Sequence, residues 1–228
     1  MKVTYVNHSG FVVEFDDKIL VFDYYRGELP KFDKSKSIYV FVSHGHEDHF
    51  NQEIFKWKSK FQKVVYILAS EINDSSWDET ISVFPNQEIK LSDEFIIRTL
   101  PSTDEGVAFL INVDKKTLFH AGDLHWWHWN GETDLFNQEM ERDYKKYIEE
   151  VKGEHIDFAF IPLDPRQQNA YYWGMLYFLE NMDVSYVFPM HMWGRYRIVT
   201  ELLEKQEMQP YRDKIIRITR ENESFNFN

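Results

Sequence analysis

The sequence predicts a mixed α/β fold, and two features carry this prediction. Apolar runs of strand length recur along the chain between turn-forming residues, and amphipathic segments with a helical period lie between several of them. The chain of 228 residues is 43% hydrophobic and shows no linker, low-complexity tract or internal repeat. We therefore expect one domain over residues 1–228 with a sizeable core.

The predicted strands are apolar runs bounded by Gly, Asn, Asp and Ser. The first three form an antiparallel meander, because short turn signals at 8–10 and 16–18 join them. In chain order the predicted strands cover residues 3–7, 11–15, 19–23, 38–42 and 64–68, two strands within 86–100, and then 107–113, 117–120, 156–163, 184–191 and 214–218.

Helices are predicted where apolar residues recur every three or four positions. The segment 51–60 fits a short amphipathic helix, and 132–152 fits a longer one with a charged, solvated face. Two further helices are expected over 170–181 and 197–206.

Composition and charge restrict the function. Because cysteine is absent, disulfides and thiolate chemistry are excluded, and any metal must be held by His and carboxylate side chains. A formal charge of -12 without a basic stripe disfavours nucleic acid as a partner. The start of the chain reads as a strand rather than a signal peptide, and no stretch approaches membrane-spanning length. We expect a soluble cytoplasmic protein that binds no membrane.

The strongest functional signal is the loop after the buried strand 38–42. Four potential ligands, His44, His46, Asp48 and His49, occupy six positions. His44 and His46 are two residues apart, so in extended chain they point the same way, and the other two follow after enough chain to curl back. Imidazole and carboxylate bind zinc and its first-row relatives, so the loop predicts a metal site that could serve two ions. The alternative is a chance cluster of packed or solvated histidines.

The motif His44-Gly45-His46-Glu47-Asp48-His49 resembles the signature of the metallo-beta-lactamase superfamily. This resemblance implies a four-layer αββα sandwich with a metal site, often dinuclear, at one edge between its two sheets. The run Asn7-His8-Ser9-Gly10-Phe11, with the strand end at Asp23, is similar to the opening of the L-ascorbate-6-phosphate lactonase-like branch. There the early His and the strand-end Asp lie close to the metal loop. His8 and Asp23 would then support the ligands; alternatively they are a turn residue and a strand cap.

The resemblance extends to the second half of the chain. Ala121-Gly122-Asp123 matches the turn that presents the carboxylate bridging both metals, and His191 matches the last ligand. Where the family usually has a His, this chain has Asp104, which is either a harder ligand that favours manganese or iron over zinc, or a solvated loop acid. The implied ligand set is His44, His46 and Asp104 on one ion, Asp48, His49 and His191 on the other, and Asp123 between them.

Two candidates for substrate binding follow the bridging carboxylate. Trp126 belongs to an aromatic run that forms either core packing or a wall of the substrate pocket. Within that run, His125 and His128 fit no ligand position. Arg166 could hold an anionic group through bidentate hydrogen bonds, or alternatively pair with Asp164.

These observations predict a metal-dependent hydrolase with two zinc ions, or with manganese or iron. A hydroxide bridging the ions would attack a small-molecule ester, lactone or phosphodiester, with Asp123 and Asp48 as catalytic residues and Asp48 accepting or relaying a proton. One alternative is a metal-binding protein without hydrolytic turnover. Another is a nuclease of the same superfamily, which the acidic charge argues against. The expected partner is a small-molecule substrate, and a homo-oligomer is compatible with exposed aromatic residues.

Overall fold

The structure is a computed structural model that describes residues 1–72 and 80–227. It divides into two compact units, one from Met1–Phe84 with Thr219–Asn228 and the other from Pro85–Ile218. Within the described residues each unit has one β-sheet, and helices are few, so the predicted mixed α/β class with two sheets is confirmed. That residues 1–228 form a single domain stays a prediction.

The elements are short, and most lie within one or two residues of their predicted positions. In the described part of the chain the strands are β1 (Lys2–Asn7), β2 (Gly10–Glu14), β3 (Lys18–Phe22), β4 (Ser37–Val42), β5 (Val64–Ala69), β6 (Thr80–Val83), β7 (Glu88–Ser92), β8 (Phe95–Pro101), β9 (Val107–Val113), β10 (Lys116–His120), β11 (His155–Pro162), β12 (Asp183–Met190) and β13 (Glu223–Asn226). The α-helices are α1 (Asp134–Glu149), α2 (Trp173–Asn181) and α3 (Arg197–Glu204), and 3-10 helices cover Gln52–Ser59, Pro165–Ala170 and Gln209–Tyr211.

The sheet of the first unit has the order β13-β1-β2-β3-β4-β5-β6 within the described residues. β1, β2 and β3 form the predicted antiparallel meander, and β3 to β6 run parallel. Since β1 and β3 both run antiparallel to β2, they point the same way. The carboxyl ends of β1, β3 and β4 therefore meet at one edge of this sheet.

The core of the first unit forms under a short helix. β4 and β5 are nearly continuous apolar runs, as expected for parallel strands covered on both faces. The 3-10 helix Gln52–Ser59 buries Ile54, Phe55 and Trp57, and the hydroxyl of Tyr66 on β5 donates to the carbonyl of Ile54 at 3.0 Å. The amphipathic helix predicted over 51–60 is thus confirmed, with 3-10 geometry.

The sheet of the second unit has the order β12-β11-β10-β9-β8-β7 among the described residues. β7 to β10 are antiparallel, whereas β10, β11 and β12 are parallel. Helix α2 packs on this sheet through Phe178, which stacks on Phe119 with ring centroids 5.4 Å apart. The hydroxyl of Tyr144 on α1 donates to the carbonyl of Gly174 on α2 at 2.8 Å, so the two helices are joined by a buried hydrogen bond.

The strand predicted over 214–218 is wrong. Within this segment only Ile215 pairs, in an isolated parallel bridge to Val187. The N–H of Val187 donates to the carbonyl of Lys214, and the carbonyl of Val187 accepts from the N–H of Ile216. A turn ends immediately before this point, so pairing reaches only one residue. The short, partly exposed strands β6 and β13 lie at the sheet edges and carry too few apolar residues to be predicted.

No helix within residues 1–72 and 80–227 combines the length and the apolar composition needed to cross a bilayer.

Candidate metal centre

The candidate ligands of the first unit lie where parallel strands end. His8 follows β1, Asp23 follows β3, and the loop with His44 and His49 follows β4. His8 and Asp23 have φ angles of 50° and 40°, in the left-handed region that side chains rarely adopt. Such backbone conformations persist where surrounding contacts hold them, and they concentrate at functional sites. The sequence gives no signal for this strain.

Asp23 is the centre of a buried hydrogen-bond network. It is fully buried and accepts from the Ser43 N–H at 2.8 Å and from the Ser43 hydroxyl at 2.7 Å. Nδ1 of His49 lies 2.8 Å from the Asp23 carboxylate, and Nδ1 of His44 lies 3.0 Å from the Ser43 oxygen. Asp23 therefore does more than cap a strand, because it fixes His49 directly and His44 through Ser43.

This network determines which nitrogen of each imidazole can bind a metal. The Ser43 hydroxyl has one hydrogen, which it donates to Asp23, so it accepts from Nδ1–H of His44. The carboxylate likewise requires a hydrogen on Nδ1 of His49. With hydrogens on both Nδ1 atoms, each ring would bind a metal through Nε2, the arrangement in which carboxylates orient metal-binding histidines. The donor set of this unit therefore fits a first-row metal ion.

The other residues of the loop extend the cluster. A ring nitrogen of exposed His46 lies within 4.8 Å of one on His44, and His8 and His49 approach each other equally closely. Nε2 of His8 is 3.2 Å from the carboxylate of Asp48. His8 is therefore part of the cluster rather than an ordinary turn residue.

The second unit gathers its candidate residues at the ends of three parallel strands. Asp123 lies beyond the end of β10, Asp164 beyond β11 and His191 directly after β12. Nε2 of His191 is 2.7 Å from Oδ1 of Asp123, and its Nδ1 is 3.6 Å from Oδ2 of Asp164. His191 also has a positive φ, of 62°. The predicted pair Asp123 and His191 is thus brought together, with a carboxylate behind the imidazole.

Asp164 was not predicted to be a site residue, although its position beyond a strand end is a signal for one. Burial raises the pKa of its carboxyl, but the neighbouring His191 imidazole and the hydrogen bonds from Arg166 lower that pKa by more, so the group is held as an anion. Nε1 of Trp193 donates a further hydrogen bond at 3.1 Å. Asp164 is therefore an ionised group suited to orient His191.

Arg166 forms the salt bridge that was the alternative to substrate binding. Its Nε donates to both oxygens of Asp164, at 3.0 and 2.9 Å, and a terminal nitrogen donates at 2.5 Å. The guanidinium lies 4.4 Å from the ring centroid of Trp193. Its side chain is still 50% exposed, so one face can meet a ligand. The role in substrate binding stays a prediction.

A cavity of about 320 Å³ lies beside Asp123, and its lining includes Asp104, Trp127, Trp129 and Arg166. Asp104 is exposed, and its N–H donates to the Ser102 hydroxyl at 3.1 Å. Its role as a ligand stays a prediction.

Trp126 does not line this cavity. Trp127 lines the cavity beside Asp123, and its Nε1 donates to the carbonyl of Asp123 at 2.9 Å, whereas Trp126 lines a different cavity. Trp127 and Trp129 are the tryptophans that line the cavity beside Asp123, and the role of Trp126 in substrate binding stays a prediction.

His125 supports the segment that carries Asp123. Its Nε2 lies 2.8 Å from Oε1 of Gln167, and its backbone N–H and carbonyl both bond the hydroxyl of Thr103, at 2.9 and 2.6 Å. Burial lowers the pKa of His125 to about 4, against a smaller opposing effect of the Gln167 hydrogen bond. The ring is therefore neutral and packed.

Comparison with known proteins agrees with this geometry. The profile of the family described as a beta-lactamase superfamily domain matches residues 2–135, more than half of the chain. The chain is 28% identical over 186 residues to the UPF0173 metal-dependent hydrolase YtkL of Bacillus subtilis. The aligned region covers 72% of this chain and 73% of YtkL.

Two solved structures share the fold over nearly the whole chain. Igni18, a metallo hydrolase from Ignicoccus hospitalis, has a TM-score of 0.68 and 19% identity over 100% of this chain and 99% of its own. The metallo-beta-lactamase fold protein YhfI from Bacillus subtilis has a TM-score of 0.67 and 14% identity over 98% of each chain. The predicted fold is confirmed, whereas the lactonase-like branch stays a prediction.

Gly174→Ala is expected to destabilise the protein. A Cβ at this position would lie 2.5 Å from Cε1 and 2.6 Å from Nδ1 of His125. We expect a loss of about 1–3 kcal/mol from overpacking, although Ala is the better helix former by about 1 kcal/mol. Urea denaturation of the metal-free protein measures the change. Gly131→Ala is the control, because apart from Gly131 itself and its two chain neighbours no described atom lies within 4 Å of the added Cβ. A Gly174→Ala protein as stable as the wild type would contradict the packing of His125.

Asp23→Asn is expected to weaken metal binding by about 10- to 100-fold, because the amide cannot hold the hydrogens of both Ser43 and His49 as the carboxylate does. The measurement is competition for Zn²⁺ with a chromophoric chelator, and circular dichroism checks the fold. Asp16→Asn, at an exposed acid of the same unit, should leave the affinity unchanged. Equal affinities of wild type and Asp23→Asn would show that the network does not orient a ligand.

Proposed function

We propose that this chain, which belongs to the metallo-beta-lactamase superfamily, is a metal-dependent hydrolase acting on a small molecule. The metal-dependent hydrolase name of its relative YtkL supports the reaction class. The observation that carries the proposal is the buried network in which Asp23 and Ser43 orient the imidazoles of His44 and His49 through their Nδ1 atoms.

The side chains of this protein would hold the metal, transfer protons and stabilise charge. A bound divalent ion would supply Lewis acidity and lower the pKa of a water molecule toward neutrality. Asp48 would accept or relay a proton, and the distance of 3.2 Å between its carboxylate and Nε2 of His8 supports this role. The assignment of His44, His46, Asp104, Asp48, His49, His191 and Asp123 to two ions is carried over from the sequence as part of the proposal.

The cavity beside Asp123 supports a small substrate. Its volume of about 320 Å³ is at the lower end of the range of ligand pockets, and the two Trp rings offer flat apolar walls. The exposed face of Arg166 can meet an anionic group while Asp164 keeps the guanidinium in place. We therefore propose an ester, lactone or phosphodiester of small size, with the anionic group near Arg166. The formal charge of -12 argues against a polyanionic substrate.

The proposal predicts metal-dependent hydrolysis that depends on Asp123. Protein loaded separately with zinc, manganese or iron is assayed with a lactone, an aryl ester and a phosphodiester panel, and chelator should abolish turnover. Asp123→Asn should lower kcat/KM by about 10²- to 10⁴-fold through loss of a charged group at the reacting centre. Asp213→Asn, at an exposed acid of the same unit, is the matched control and should not change kcat/KM.

Two results would contradict the proposal. Turnover that survives the chelator and Asp123→Asn would come from a contaminant or a different site. Metal-loaded protein that hydrolyses no member of the panel would favour a metal-binding protein without turnover, and cleavage of single-stranded RNA alone would favour a nuclease.

A further inference from the structure

We propose that the second unit contains another binding site, for an organic cation of the quaternary ammonium class. A cavity of about 540 Å³ lies between residues of α1 and α2 and the segment after α3. Its lining combines aromatic rings with carboxylates, including Trp126, Tyr172, Trp173, Tyr177, Glu180 and Glu207. It shares no lining residue with the cavity beside Asp123.

The aromatic faces of this cavity already attract the protein's own cations. Nζ of Lys145 lies 4.6 Å from the ring centroid of Trp126 and 5.3 Å from that of Tyr177. Nζ of Lys205 lies 4.2 Å from the centroid of Tyr172. The negative face of an aromatic ring attracts cations at these distances, and clusters of such rings bind quaternary ammonium groups.

The charge of the lining also favours a cation. Lys145 forms an ion pair with Glu141, so these two charges cancel. In the described part of the chain no ion pair involves Glu180 or Glu207, and the hydroxyl of Tyr172 lies 3.4 Å from Glu207. The lining residues therefore carry an excess of two carboxylates, and with Lys205 beside Tyr172 counted an excess of one negative charge remains beside the aromatic walls.

The walls are held in place before any ligand binds. The side-chain amide of Gln167 donates to the carbonyl of Trp126 at 2.8 Å. Trp173 packs on Trp126 with centroids 5.6 Å apart, and His128 packs on Trp173 at 4.7 Å. Fixed rings lose little conformational freedom on binding.

The ligand must combine positive charge with apolar surface, and a methylated ammonium has both. A metal ion would gain no coordination from ring carbons.

The test compares a cation with its neutral isostere. Choline and 3,3-dimethylbutan-1-ol have the same shape and differ in charge, and each is titrated into the protein by calorimetry at constant ionic strength. We expect choline to bind and the alcohol to bind at least about threefold more weakly. A third titration uses Nε-trimethyllysine, which represents a modified protein side chain, whereas choline represents a free small molecule. The tighter binder of the two shows which kind of ligand the cavity fits better.

Charge variants keep the test independent of folding. Glu180→Gln and Glu207→Gln replace exposed acids, and each should weaken choline binding by about twofold to fivefold without changing the affinity for the alcohol. Glu204→Gln, at an exposed acid outside the lining, is the matched control and should have no effect. Trp173→Ala should weaken choline binding further.

Three results would overturn the proposal. The first is that neither choline nor trimethyllysine binds with a Kd of about 1 mM or tighter. The second is equal binding of choline and the alcohol, and the third is an unchanged choline affinity in both Gln variants. Equal binding would instead describe an apolar cavity that does not distinguish charge.

Discussion

A buried carboxylate that must be satisfied by hydrogen bonds determines the geometry of the candidate centre. A charge away from water is destabilising unless it is paired or hydrogen-bonded, and Asp23 is fully buried. Ser43 and His49 supply the required hydrogens, and Ser43 extends the network to His44. Because each donor has a single hydrogen to give, the tautomers follow from the network. The same contacts that stabilise a buried charge therefore prepare two imidazoles to bind a metal.

Both units use the ends of parallel strands to gather polar side chains. Strand interiors here are apolar, so the first polar residues after each strand share one edge of the sheet. In the second unit Nδ1 of His191 faces the carboxylate of Asp164 and its Nε2 faces Asp123. In the first unit Nδ1 of His49 likewise faces a carboxylate, that of Asp23. Positive φ angles at His8, Asp23 and His191 show that the chain turns sharply at these positions. The sheets thus supply rigid supports, and the turns orient the candidate ligands.

Short-range pattern was enough to predict most of the fold and many of the candidate ligands. Apolar runs located the buried strands, and the spacing of His44 to His49 and the Gly-Asp turn at Asp123 marked the site. The features that the sequence did not predict depend on contacts between residues that are distant along the chain. Asp164 lies beside His191 only because β11 and β12 are neighbours, and that Trp127 rather than Trp126 lines the cavity beside Asp123 depends on the tertiary packing of this segment. One-residue pairing at Ile215 is likewise a tertiary contact.

Metal content per chain tests the central claim most directly. Protein purified without chelator or added metal is analysed for its elements, beside His46→Ala, an exposed residue whose loss should leave the fold intact. We predict about two first-row metal ions per wild-type chain, as in dinuclear hydrolases, and a clear loss of metal in the variant. A wild-type chain that holds no metal even after reconstitution, or a His46→Ala protein that keeps the full amount, would contradict the account.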